Sequence, residues 1–134
     1  MENCKTTSKN KIFTFKEQRS LLTLLNKDQV TSVKIQVDGC EINDGGIRCD
    51  YMHLAKETER YIELKGQDLI HALHQIERTI GILSSDPRNC KKISYVICTR
   101  SPLTSTEIQI HERQFRAKFN SKLIIKSSPY TDTY

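Results

Sequence analysis

Apolar and polar positions along this chain change period several times, and the changes mark out its elements. Residues 14–25 start with Thr14 as a helix cap and carry Leu21, Leu24 and Leu25 at helical spacing, which predicts a first helix. Val33, Ile35 and Val37 alternate with polar residues, the period of a half-buried strand over 33–38. Asn43, Asp44, Gly45 and Gly46 then supply turn chemistry before a second strand over 47–53. The charged run 56–59 leads into a third strand over 60–65, closed by Gly66. Beyond it, Leu69, Leu73, Ile76, Ile80 and Leu83 form the apolar stripe of a helix over 68–83, which stops at Ser84-Ser85-Asp86-Pro87. A β-branched run over 92–99 reads as a buried central strand, residues 105–120 as a helix with Ile108, Phe115 and Phe119 inward, and 122–126 as a last strand.

The expected order is therefore αβββαβαβ. Three meandering strands feed two helical crossovers, giving an α/β, or mixed α+β, fold with a central mixed sheet flanked by helices on both faces. With 134 residues and no internal linker, one domain is expected over 14–127, after a polar lead (1–13) and before a loose tail (128–134). No apolar run approaches a membrane span, and the first ten residues lack a signal peptide's apolar stretch, so the expected address is cytoplasmic. Five cysteines without a CxxC pair read as reduced thiols, with Cys49 and Cys98 as small buried residues.

Candidate chemistry lies where charge interrupts strand patterning. Asp50 falls within the second expected strand. On the third, side chains alternate so that Tyr61, Glu63 and Lys65 share one face while Ile62 and Leu64 take the other. Two carboxylates and an ammonium meeting at one point could hold a hard divalent cation and orient a water, the requirements of phosphodiester hydrolysis. The bland reading is an ion-paired surface strip worth a few tenths of a kcal/mol.

The remaining patterns are weaker. Asp38, Glu41 and Asp44 lack the spacing of a calcium loop and read as turn residues. His53, His71, His74 and His111 show no zinc spacing, and His53 alternates to the face opposite Asp50. No Gly-x-Ser-x-Gly or Gly-rich phosphate loop occurs. The net charge of +5 is uneven: residues 88–134 carry nine Lys or Arg against three acids, while 1–87 carry twelve against thirteen. That excess suits a polyanion, and Arg100, Arg113, Arg116 and Lys118 are its candidate phosphate contacts.

An acid in the second strand, Glu-x-Lys in the third thirteen residues on, and an amphipathic helix directly after resemble the PD-(D/E)xK nuclease superfamily, which includes many restriction endonucleases. The resemblance covers about residues 15–126 in topology and rests on three motif residues; position 49 is cysteine where the superfamily's name has proline. It implies a restriction-endonuclease-like fold in which Asp50, Glu63 and the Leu64 backbone carbonyl ligate Mg²⁺ or Mn²⁺ and Lys65 orients the attacking water. Glu17 and Gln75 are the auxiliary candidates it suggests. The implied partner is DNA, with RNA as the alternative, and cutting both strands would favour a homodimer. A catalytically silent member of the same fold, acting as a nucleic-acid or protein interaction module, is the competing expectation. A third is an unrelated interaction protein, such as one partner of a toxin and immunity pair.

Overall fold

The structure is a computed structural model that describes residues 3–64, 68–99 and 104–134. Nine strands and two helices occur among them: β1 (Lys5–Ser8), β2 (Ile12–Glu17), β3 (Ser20–Leu25), β4 (Ser32–Gln36), β5 (Tyr51–Ala55), β6 (Thr58–Leu64), α1 (Leu69–Leu83), β7 (Lys92–Cys98), α2 (Ser105–Phe119), β8 (Ser121–Ser127) and β9 (Tyr130–Thr133). A six-stranded mixed sheet runs β1-β4-β5-β6-β7-β8, and β2, β3 and β9 form a second, three-stranded sheet.

The meander and both crossovers are as expected. β4, β5 and β6 pair antiparallel, while β6, β7 and β8 are parallel. β5 and β6 join through a two-residue turn in which Lys56 and Glu57 both have positive φ, the primed-turn geometry that suits strand twist, reached without Gly or Asn. α1 starts at Asp68, whose side chain accepts from the His71 N–H, and buries Leu69, Leu73, Ile76 and Ile80. α2 opens with a capping box between Thr104 and Glu107 and buries Phe115 and Phe119.

Four expectations are corrected. The first helix expected over 14–25 is instead the β2–β3 hairpin. Phe13 and Phe15 on one strand, and Leu22 and Leu24 on the other, recur at period two and are buried, so the strand period prevails over the helical spacing of Leu21, Leu24 and Leu25. Second, helices do not flank both faces. The steps β6 to β7 to β8 run in one direction, so two right-handed crossovers put α1 and α2 on the same face. The opposite face is covered by the small sheet, through Phe13, Phe15, Leu22 and Leu24 packed against Ile62, Leu64, Tyr95 and Ile97.

Third, the supposed lead and tail carry structure. β1 pairs with β4, and β9 pairs parallel to β3 with the Tyr134 side chain buried. Fourth, Cys4 and Cys40 form a disulfide rather than two free thiols. Pairing of β1 with β4 brings the chain just before Lys5 beside the turn after Gln36, a proximity that 36 residues of separation conceal. Cys49 and Cys98 are free and buried as expected, and burial pushes the Cys49 thiol up to about 12. No helix among the described residues is long and apolar enough to cross a membrane.

Candidate active site

Asp50 lies immediately before β5, where its N–H donates to the Ile62 carbonyl across to β6. Its carboxylate Oδ2 accepts from the Leu64 N–H at 2.8 Å. Glu63, only 1% exposed, lies on the same β6 face as Tyr61, toward α1, and its side chain hydrogen-bonds that of Asp50. The two acids expected to meet therefore do, at the C-terminal end of a central parallel strand, the end of an open α/β sheet where ligands bind.

They open onto a cavity of about 440 Å³ whose wall also includes Glu17, Asp38, Arg48 and Gln75. Glu17 arrives at the end of β2 rather than on a helix, and Gln75 comes from α1. Burial raises the Asp50 carboxyl to about 6; the negative charges of Glu17 and Asp38 push the same way, while the Leu64 N–H and the Glu63 hydrogen bond pull it down. Among the described residues that line it, acids outnumber cations four to one.

The backbone entering Asp50 is clamped by α1. Gln75 Nε2 donates to the Arg48 carbonyl at 3.0 Å, Arg78 Nη1 to the Ile47 carbonyl at 2.7 Å, and the Cys49 N–H donates to Thr79 Oγ1 at 2.9 Å. Positions 75, 78 and 79 share one helical face, so a single turn of α1 holds three successive residues of the loop. Arg78 also binds Asp44 at 2.7 Å, and this guanidinium is the main reason the Asp44 carboxyl falls to about 2.

A hard cation fits part of this donor set. Among the described residues no group of three or more His, Cys, Asp or Glu side chains is placed to hold a metal ion. Two carboxylates supplemented by water and a backbone carbonyl nevertheless match the habit of Mg²⁺, which keeps several waters and takes one or two carboxylates. Gln75 Oε1, buried and without a hydrogen-bond partner among the described residues, is a further oxygen in the cavity wall.

Of the other expected residues, Lys65 and Arg100 lie outside the described residues. Arg113 and Arg116 line a groove of about 620 Å³ with Lys122, between α2 and the edge strand β8. A contiguous cavity continues along β8 to Lys126 and Tyr130. Lys118 instead turns toward α1, 3.5 Å from Glu77. His53 is buried on the opposite face of the sheet from Asp50, among Phe13, Phe15 and Tyr134. Asp38 and Arg48 were not anticipated at the site. The only local sign was Arg48 standing two positions before Asp50, the spacing that returns an extended chain to one side. No protein-family model, curated protein or solved structure matches this chain.

Proposed function

We propose that this protein is a divalent-metal-dependent nuclease with a restriction-endonuclease-like core formed by β4, β5, β6, α1 and β7, hydrolysing phosphodiester bonds of DNA. The observation that carries the reading is the joined carboxyl pair of buried Glu63, at the C-terminal end of β6, and half-buried Asp50, set in an acidic cavity. Ionising such a pair is costly without a compensating cation, and a structural strip would leave it in solvent.

Asp50, Glu63 and the Leu64 carbonyl would hold Mg²⁺ or Mn²⁺. When bound, the ion would neutralise charge on the phosphate and acidify a nearby water. Lys65, placed by sequence two residues after Glu63, would orient that water and take up part of the negative charge. The Leu64 N–H fixes the Asp50 carboxylate, and α1 fixes the loop behind it, so the acids need little rearrangement to bind. Arg113, Arg116 and Lys122 would follow the DNA backbone along the α2–β8 groove in a salt-sensitive, sequence-independent manner. Cutting both strands would take two protomers.

One observation favours a second reading, the silent member of the same fold: Asp50 and Glu63 bond to each other, an arrangement a shared proton can maintain without metal. Incubating plasmid and branched DNA with Mg²⁺ or Mn²⁺ separates the two. Wild-type protein should cleave, and Glu63→Gln and Lys65→Ala should each lower the rate at least about 100-fold. Equal cleavage by all three preparations would point to a contaminant, and salt-sensitive binding with no cleavage would select the silent member.

A further inference from the structure

Phosphodiester hydrolysis in this cavity meets an electrostatic difficulty. Glu17, Asp38, Asp50 and Glu63 all line it, and a phosphodiester brings a negative charge that grows in the transition state. Among the described lining residues the only cation is Arg48.

Arg48 is held as a fixed donor rather than a loose surface charge. Its Nε donates to Asp38 Oδ1 at 2.8 Å and its Nη1 to the Gly46 carbonyl at 3.0 Å, with the side chain 21% exposed. Those two bonds use two of the guanidinium's five N–H groups, which leaves one on Nη1 and both on Nη2 for an acceptor. Its backbone is equally restrained, because α1 grips the peptides on both sides of it: the Ile47 and Arg48 carbonyls and the Cys49 N–H. A planar fork with its aim set beforehand is the preferred protein group for phosphate oxygens, and donors that need no reorganisation contribute most where charge develops.

We propose that Arg48 is a catalytic residue that binds the non-bridging oxygens of the phosphate under attack, and that Asp38 is the positioning residue that aims it. The inference rests on the nuclease reading of the same cavity. In the step concerned, a water oxygen forms a new bond to phosphorus and one P–O ester bond breaks. The attacking water gives up its proton to solvent and the departing alkoxide takes one from water, leaving a phosphate monoester and an alcohol. Arg48 exchanges no proton; it offsets charge on the two oxygens that stay on phosphorus.

The test compares wild type, Arg48→Ala, Arg48→Lys and Asp38→Asn for single-turnover cleavage with Mn²⁺, calorimetric Mn²⁺ affinity and thermal midpoint. Arg48→Ala should lower the cleavage rate about 100-fold to 1,000-fold while Mn²⁺ affinity stays within about threefold. Arg48→Lys keeps the charge but not the fork and should recover less than a tenth of the rate. Asp38→Asn should cost about tenfold, and adding it to Arg48→Ala should cost nothing more, because both act through one contact. Cleavage by folded Arg48→Ala or Arg48→Lys within threefold of an active wild type overturns the role of Arg48 and leaves the nuclease reading standing. A wild type that binds Mn²⁺ and DNA without cutting overturns both.

Discussion

Burial beside Glu17 and Asp38 makes ionisation of Asp50 costly to the fold, and the pH range of that cost follows from the direction of the shift. The unfolded carboxyl loses its proton near pH 4 and the folded one near 6, so between them the folded chain binds more protons and stability falls as pH rises. The penalty is complete above about pH 6 and absent below 4. Asp50→Asn can still accept from the Leu64 N–H but has no charge to bury. At pH 7.5 without metal, urea unfolding should show this variant more stable than wild type by about 1–3 kcal/mol, with the advantage gone at pH 4. A variant no more stable than wild type at pH 7.5 would show that the pair is not strained by charge. Asp50 and Glu63 were legible in the sequence because strand alternation fixes which side chains share a face. Arg48 and Asp38 were less so: their contact depends on how the 37–42 turn folds against the loop before β5, and no local period encodes that.

At the scale of elements, α1 serves the candidate site twice, covering the sheet with its apolar stripe and clamping the loop before β5 with Gln75, Arg78 and Thr79. The stripe was readable from period alone, whereas the clamp consists of polar residues on a helix edge and looks like ordinary solvated surface. Thr79 is fully buried; its hydroxyl accepts from the Cys49 N–H and donates to the Gln75 carbonyl at 2.8 Å. Thr79→Val preserves shape but leaves that buried N–H unpaired, which should destabilise the fold by about 1–3 kcal/mol in urea unfolding and slow any cleavage, since Asp50 is the next residue. Unchanged stability would mean that the loop holds itself in place. The β2–β3 hairpin teaches the opposite lesson. Glu17 was singled out on a helix that does not exist, yet it reaches the cavity, because the end of a two-residue hairpin can deliver a side chain there as well as a helix can. Its signal of alternating Phe13, Phe15, Leu22 and Leu24 was present but overlapped by leucines at helical spacing.

The whole molecule is asymmetric about its central sheet, with helices on one face and a small sheet on the other; Glu63 faces the helical side of the candidate site, and Glu17 reaches it from the small sheet. The layer between the two sheets contains polar groups as well as an apolar core. Arg60 donates to the Tyr95 hydroxyl, which donates to Asp132 at 2.7 Å, and the fully buried His53 lies 3.1 Å from the Tyr134 hydroxyl. Burial, with Arg60 adding repulsion, lowers His53 to about 3. Because the unfolded histidine protonates near pH 6.5, the unfolded chain binds more protons over the interval between, so this contribution is present above 6.5 and lost as pH falls toward 3. Asp50 works with the opposite sign between about 4 and 6 and partly hides it. The groups facing His53 from neighbouring elements are its cross-strand partners Lys34 on β4 and Arg60 on β6, together with Tyr134 after β9 and Phe13 and Phe15 from β2. Measured on the Asp50→Asn background, the chain should lose several kcal/mol between pH 7 and pH 3, shared between His53 and carboxyls held low such as Asp44, and adding His53→Leu should make that slope shallower while lowering stability at pH 7. If the acid limb is unaltered by His53→Leu, protonation of some other group drives acid unfolding and His53 has no part in it.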